Sequence, residues 1–259
     1  MIRNLLIRGM IAGLVAGLVA GLLGFCFAKT FGEPSVDRAI AFESQQEQAR
    51  EQADAAAGHT HDHGDDVELV SRGTQAGLGL LTGVSVFGTA LGGLFSLVFA
   101  FSYGRLGALR ARGTSALLGL FGFVTIAIVP FLKYPPNPPS VGNPETIGAR
   151  TALFFGMVAI SLVVAVFAVR LQRRMQASHG NWNAALISVA VYIVLMALAY
   201  FALPPVDEVP KLFSASLLWH FRVAAIGIQA VIWATLGLFF GVLAQREMER
   251  VPARRIASA

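Results

Sequence analysis

Two long apolar stretches decide the fold class: residues 5–28 read LLIRGMIAGLVAGLVAGLLGFCFA, and residues 77–101 read GLGLLTGVSVFGTALGGLFSLVFAF. Arg8 is the one charged residue within them. A helix needs about 20 consecutive apolar residues to cross a hydrocarbon core about 30 Å thick. Both stretches exceed that length, so each is predicted to be a transmembrane helix.

Four later segments have the same character: residues 114–132, 151–169, 184–203 and 217–244. The whole chain is 55% hydrophobic and 14% charged, whereas soluble domains carry about 25% charged residues. A water-soluble fold is therefore excluded. We predict an all-α polytopic membrane protein, with six transmembrane helices forming one integral membrane domain over residues 1–259.

Basic residues orient the predicted spans. With a cytoplasmic amino terminus, the short inner segments hold twelve arginines and only two acidic residues, Glu247 and Glu249, whereas the outer segments hold thirteen acidic residues. This distribution follows the positive-inside rule loop by loop and predicts that both termini are cytoplasmic. The net charge of +5 could suggest binding to nucleic acid. The basic residues flank the apolar segments, however, so we predict that the partner is the lipid bilayer and that no nucleic acid binds.

Glycines recur every four residues in the first span, at Gly9, Gly13, Gly17 and Gly21. Small residues at this spacing allow a second helix backbone to approach closely. The second span is also rich in glycine. We therefore expect the first two spans to pack against each other or against another subunit, which includes association into a homo-oligomer.

One segment has the composition of a metal site. The outer loop predicted over residues 29–76 contains HTHDHGDD at residues 59–66. Its candidate ligands are His59, His61, Asp62, His63, Asp65 and Asp66. Imidazole with carboxylate favours divalent ions such as Co²⁺, Ni²⁺, Zn²⁺ and Cu²⁺. We expect this loop to collect a metal ion outside the membrane.

A second candidate site lies where the fifth and sixth spans meet the outer surface. Asp207 and Glu208 precede the sequence WHFR at residues 219–222. His220 could be a ligand at a pore mouth, with Arg222 paired to Asp207 or Glu208. Alternatively, this sequence anchors the helix at the interface. Within the sixth span, Gln229 is the best candidate to touch a permeating ion.

Other polar side chains in the spans are expected to form hydrogen bonds between helices. They include Thr82, Ser85, Thr89, Ser96, Thr125, Ser161, Ser188 and Thr235. The chain has no phosphate-binding GxxxxGK[ST] sequence and no HExxH or GxSxG motif. We therefore predict that it is not an enzyme and carries no permanently bound cofactor.

Several segments resemble the CbtA family of predicted cobalt transporter subunits. They are the opening residues 1–13, FGEP at 31–34, DRAI at 37–40, the histidine run at 59–63, PFLKYPPNPP at 130–139, LPPVDEVP at 203–210 and LWHFR at 218–222. The resemblance implies a bacterial inner-membrane protein for cobalt uptake that serves cobalamin biosynthesis. It also implies a small one-span companion subunit that bears histidines.

The resemblance makes Co²⁺ the expected substrate, whereas the residues alone leave Ni²⁺ and Zn²⁺ open. Family descriptions usually give five spans, whereas the charge distribution favours six. Two other functions remain open: a metal-sensing or scaffolding membrane protein that transports nothing, and a transporter of an organic solute or a chelated metal.

Overall fold

The computed structural model describes residues 2–56 and 70–257, and within them the chain is helical and contains no β-strand. The α-helices are α1 (Ile2–Phe27), α2 (Glu33–Ala56), α3 (Arg72–Thr74), α4 (Leu80–Ser102), α5 (Ala111–Gly122), α6 (Val129–Lys133), α7 (Ile147–Ala202), α8 (Ala215–Thr235) and α9 (Gly241–Ala257). Short π-helical segments join some of them: π1 (Ala28–Gly32), π2 (Gln75–Gly79), π3 (Phe123–Ile128) and π4 (Leu236–Phe240). A 3₁₀ turn, Pro144–Thr146, precedes α7.

Five continuous helices in the described residues are long and apolar enough to cross a membrane. They are Leu6–Ala53, Arg72–Ser102, Ala111–Lys133, Pro144–Ala202 and Ala215–Glu249. The six predicted spans lie within these helices, apart from the edge residues Leu5 and Leu203, and Pro144–Ala202 contains two of them. The chain is therefore a multi-pass helical membrane protein.

The helix α7 is broken at Gly180, whose φ of 74° and ψ of 161° are not helical. Glycine adopts this region of φ/ψ space almost alone. Across the break, Gln172 Nε2 donates to Asn181 Oδ1 at 2.8 Å, and Ser161 Oγ lies 2.8 Å from the Tyr192 hydroxyl. Both pairs are centred on the same point of the chain, between residues 176 and 177. The two arms of α7 therefore run antiparallel, as a helical hairpin.

The π segments follow from local sequence in two cases. Pro34 and Pro130 each stand two residues after a π segment, after π1 and π3 respectively. Proline has no N–H, so the carbonyl four residues earlier loses its helical partner. Those carbonyls belong to Thr30 and Ile126, which lie inside the π segments. The wider π turn lets the helix continue past the proline.

Most of the described part of the predicted outer segment, residues 29–76, is helical, including residues 39–56, where good helix formers are frequent. The first helix does not end at the membrane but continues through π1 into α2 as far as Ala56, and helix resumes at Arg72. Good helix formers (Ala, Glu, Gln and Arg) hold most positions of α2, with Glu33 and Pro34 in its first turn. These residues favour helix once the apolar helix before them has supplied the nucleus.

The chain divides into two compact units. The first comprises residues 1–121, 138–140 and 214–259, and the second comprises residues 122–137 and 141–213. In the first unit, Phe240 packs edge to face against Phe95 and Phe99, and Phe95 packs in the same way against buried Trp233. In the second unit, Tyr134, Met157 and Met196 form the centre of the core between the arms of α7 and the end of α6.

Candidate functional site

The predicted metal segment, which contains His59, His61, Asp62, His63, Asp65 and Asp66, lies outside the described residues. The described chain reaches it from α2, which ends at Ala56, and resumes at Val70. Its role as a collector stays a prediction. What the structure gives is the arrangement of the two helices that flank it.

Arg72 joins these two helices at the base of the segment. Its Nη2 donates to Glu33 Oε2 at 2.5 Å and to Asp37 Oδ1 at 2.9 Å, and its Nε donates to the same oxygen of Asp37 at 3.2 Å. The Glu33 side chain is only 11% exposed, whereas that of Asp37 is 62% exposed. One arginine therefore holds a buried and an exposed carboxylate together, one helical turn apart on α2.

Lys29 reinforces the same junction. Its Nζ donates to the main-chain oxygen of Ala76 at 3.1 Å, which ties π1 to π2. Ser71 caps the helix at its start by accepting from the N–H of Thr74. The two cationic side chains fix where the chain re-enters the helical bundle after the metal segment.

Carboxylates continue along α2 beyond this junction. The helix carries six acidic residues and two basic ones: Glu33, Asp37, Glu43, Glu47, Glu51 and Asp54 against Arg38 and Arg50. Glu43, Glu47 and Glu51 are four residues apart, so they lie on one face of the helix. This face carries three carboxylates from the middle of α2 toward its end, whereas Asp37 lies nearer the start of the helix and on a different face.

Glu208 is held in the second unit by three donors and is not open to a metal on that side. Its Oε2 accepts from the Asn143 N–H at 2.7 Å and from the Thr146 hydroxyl at 2.9 Å, and it lies 3.4 Å from Arg150 Nε. These contacts lower the pKa of the Glu208 carboxyl below its ordinary value, the Asn143 N–H contributing most. Its ion-pair partner is thus Arg150, whereas the sequence suggested Arg222.

A further hydrogen bond joins the loop after α6, which contains Asn143, to the loop after α7, which contains Glu208. The Tyr134 hydroxyl donates to the main-chain oxygen of Pro204 at 2.8 Å, and burial raises the pKa of Tyr134. Asp207, beside Glu208, is exposed and has no partner among the described residues. Of the two predicted acidic ligands, Asp207 is therefore the one available to a cation.

His220 lies on the exposed side of the first turns of α8. Its Nδ1 is 2.7 Å from the carbonyl oxygen of Ser216, and because a carbonyl only accepts, Nδ1 carries the hydrogen. The lone pair of the neutral ring is then on Nε2, which is the form that binds a metal. Trp219 is 67% exposed, as expected of a residue that meets lipid headgroups. Gln229, two turns further along α8, is half-buried.

The prediction that polar residues in the spans bond between helices is largely wrong. Four of them bond to the carbonyl oxygens of their own helix, three or four residues earlier: Thr82, Thr89, Ser96 and Thr235. Such bonding back satisfies the hydroxyl without a second helix. Ser161 does bond across helices, because its Oγ donates to the carbonyl oxygen of Thr125 in π3 at 2.7 Å.

A second interhelical bond of this kind was not predicted from the sequence. Ser115 Oγ donates to the carbonyl oxygen of Gly237 in π4 at 2.7 Å. In both bonds a buried serine meets an oxygen in a π segment, where the normal helical ladder is interrupted. The signal available in sequence was Gly119 and Gly237, which let the two backbones approach: a Cβ at Gly119 would lie 2.7 Å from Gly237 Cα.

Glycine contacts between α1 and α4 are of the type expected from the spacing. A Cβ at Gly13 would lie 2.5 Å from the Gly92 oxygen, one at Gly21 would lie 2.8 Å from Ser85 Cα, and one at Gly17 would overlap the Gly88 oxygen. Gly9 is different, because a Cβ there would meet no atom within 4 Å. Three of the four glycines therefore form the contact with α4.

No group of three or more His, Cys, Asp or Glu side chains converges on one point in residues 2–56 and 70–257. The described part offers single ligands and pairs instead, at His220, at Asp207 and at Glu33 with Asp37. Glu33 and Asp37 lie in the FGEP and DRAI segments of the family resemblance, but neither they nor Arg72 were predicted to be site residues. Their contact spans more than thirty residues of chain, so no local pattern indicates it.

The family comparison matches nearly the whole chain. The model of the family described as "Probable cobalt transporter subunit (CbtA)" covers residues 2–245. The chain belongs to the CbtA family. A CbtA protein is described as a transporter subunit rather than as an enzyme, and the word subunit implies a companion. No curated protein and no solved structure matches the chain.

Proposed function

We propose that this CbtA protein is the membrane-embedded subunit through which a bacterium takes up Co²⁺ across its inner membrane. The observation that carries the proposal is the family match over residues 2–245. In this proposal the histidine segment collects the ion outside, and a small one-span companion bearing histidines completes the transporter. Ni²⁺ and Zn²⁺ are the competing substrates, since imidazole and carboxylate ligands bind all three ions.

The described structure supports a route from the collector to the membrane. The carboxylates of α2 are distributed along the helix as far as Asp37 and Glu33, although not all on one face. There Arg72 pairs with both side chains, and its single positive charge leaves these three side chains with an excess of one negative charge. A divalent cation that reaches this point competes with Arg72 for the same oxygens, so it is drawn to the junction without being trapped there.

The driving force does not require ATP. Moving one charge across a potential of 100 mV releases about 2.3 kcal/mol, so a divalent cation gains roughly 5 kcal/mol on entry. The chain has no phosphate-binding loop of the GxxxxGK[ST] type. We propose that the membrane potential, a proton gradient or the companion subunit supplies the energy.

We further propose that the chain crosses the membrane six times, with both termini in the cytoplasm. The antiparallel arms of α7 supply the additional crossing, since the break at Gly180 follows Arg170, Arg173 and Arg174 closely. Arginines beside a helical turn favour the cytoplasmic side. Within this arrangement the chain is one integral membrane domain.

The test is ⁵⁷Co²⁺ uptake in a cobalt-transport-deficient bacterium that expresses the chain with and without its companion. The variant has His59, His61 and His63 all changed to Ala, and the matched control is His179→Ala, an exposed histidine next to the α7 break. Even changes around metal ligands cost about ten- to a hundredfold in affinity. We therefore expect the half-saturating Co²⁺ concentration to rise by at least about tenfold in the triple variant, with the maximal rate retained.

A specific observation favours a second function, that of a metal sensor or scaffold. The span hydroxyls that bond to their own helices, together with the lack of a ligand cluster in the described residues, leave few groups to line a path. No ⁵⁷Co²⁺ uptake in any combination, with the protein present in the membrane, would refute the transporter and favour this alternative.

A further inference from the structure

A groove of about 440 Å³ lies between α1 and α9 in the first unit. Its lining residues are Arg8, Ile11, Ala12 and Val15 from α1, and Leu243, Arg246 and Glu247 from α9. The α1 residues are three or four apart and so share one face of the helix, as do those of α9. Its size is within the range of ligand-binding cavities, about 300–1,000 Å³.

The groove is polar at one end and apolar at the other. Arg8, Arg246 and Glu247 lie at the ends of the two apolar helices, and the aliphatic residues lie further into them. Arg8 Nη1 is 3.7 Å from Glu247 Oε2. Ile11 is 55% exposed and Val15 is 45% exposed, so the aliphatic wall opens to the outside of the protein. In a membrane, that outside is occupied by acyl chains.

The charge at the polar end favours an anion. Among the described residues that line the groove, two guanidinium groups stand against one carboxylate, an excess of one positive charge. The Arg8–Glu247 distance is longer than a hydrogen bond, so that contact does not use the directed donors of Arg8 Nη1. A guanidinium presents a planar fork of donors that matches a phosphate group.

We propose that this groove binds an acidic phospholipid. Its phosphate contacts Arg8 and Arg246, and one acyl chain lies along Ile11, Val15 and Leu243. The position of the charges at the ends of two membrane helices distinguishes this occupant from a soluble anion, because the groove continues into the bilayer as an aliphatic wall. The proposal is independent of cobalt transport and holds for a sensor as well as for a transporter.

The experiment measures lipid retention by native mass spectrometry and thermal stability of the full-length chain in neutral detergent. The probes are phosphatidylglycerol, phosphatidylcholine and inorganic phosphate. We expect phosphatidylglycerol to be retained and to raise the melting temperature, and the other two probes to have little effect. Because one basic residue near a lipid headgroup contributes about fivefold in affinity, Arg246→Gln and Arg8→Gln should each weaken retention by about that factor.

Two further variants make the result specific. Glu247→Gln removes the opposing carboxylate and should strengthen retention of phosphatidylglycerol, which a variant that merely misfolds would not do. Arg170→Gln, an exposed arginine of the second unit, is the matched control and should leave retention unchanged.

Three outcomes would overturn the proposal. Equal retention of phosphatidylglycerol and phosphatidylcholine in all variants would exclude recognition of the charge. Stabilisation by inorganic phosphate alone would indicate a small-anion site. If the protein is a dimer that dissociates in the Arg246→Gln variant, and lipid has no effect, the groove instead binds a second copy of the chain.

Discussion

At the scale of the residue, the close contact between α1 and α4 depends on glycines, because any larger side chain at these positions would overlap the backbone of α4. Gly17 lies against the backbone of Gly88, whereas Gly9 meets nothing, although both belong to the same fourfold repeat. The spacing alone cannot show that Gly17 contacts α4 and that Gly9 does not. A repeat of four residues reflects the period of α1, whereas the length of the contact depends on where α4 lies. The repeat thus predicts a packing face but not its length.

This difference gives a paired prediction. Gly17→Ala places a methyl group on the Gly88 oxygen and should destabilise the protein by about 1–3 kcal/mol, the usual range for overpacking. Gly9→Ala should be neutral or slightly stabilising, because alanine is the better helix former. Thermal unfolding of the purified protein in detergent measures both. Equal losses in the two variants would contradict the assigned contact.

A second prediction concerns the acid stability of Glu208. Its pKa is lowered in the folded protein, so its contribution to stability is present above the ordinary value of 4.5 and is lost as the pH falls through the folded pKa. Glu208→Gln should be less stable than the unchanged protein at neutral pH, and the two should converge below pH 4.5. The melting temperature measured across this range checks the prediction.

Asp207→Asn is the matched control for Glu208→Gln, because the neighbouring carboxylate is exposed and has no partner in the described part of the chain. Its melting curve should follow that of the unchanged protein at every pH. If the two variants behave alike, the contacts of Asn143, Thr146 and Arg150 do not hold the loops together.

At the scale of the element, the break in α7 changes one long helix into a hairpin. Hydropathy places two spans in this region, and the short polar stretch between them indicates a turn. Gly180 stands among residues of low helix propensity, including Ser178 and Asn181, but these do not indicate the backbone conformation of the turn. The reversal of the chain at Gly180 brings Met157 of one arm and Met196 of the other into the same core.

Gly180→Ala should therefore destabilise the second unit. Non-glycine residues in such a backbone conformation cost about 1–3 kcal/mol. Gly148→Ala is the control and should have little effect, because Gly148 lies in α7 with ordinary helical geometry and an added Cβ there would meet no atom within 4 Å. Unfolding curves of the two variants give the difference. A loss confined to Gly148→Ala would show that the strain is elsewhere.

At the scale of the whole molecule, composition and charge predict a multi-pass helical protein, and the structure shows five long apolar helices that contain all but the edges of the predicted spans. The extension of the first helix into α2 was not predicted. Charged residues mark where an apolar membrane span ends in the sequence. They do not stop the backbone hydrogen bonds of the helix, which can continue beyond the span. The contact of Arg72 with Glu33 and Asp37 likewise depends on tertiary structure.

The number of crossings is tested by the side on which single cysteines react. With the native Cys26 replaced by Ala, Ser178→Cys should be labelled from the cytoplasm and Asp207→Cys from outside by a membrane-impermeant maleimide. The carboxyl terminus, carrying a tag, should be digested only from the cytoplasm. Labelling of both cysteines from one side would refute the crossing by the second arm of α7.

The continuous helical stretch from Leu6 to Ala53, which includes π1, has a mechanical consequence. The 24 residues of α2 extend about 36 Å at 1.5 Å per residue. If α1 and α2 move as one rigid body, a tilt of α1 by about 5° displaces the far end of α2 by roughly 3 Å. A tilt of α1 would therefore displace Ala56, the end of α2, which precedes the histidine run at residues 59–63.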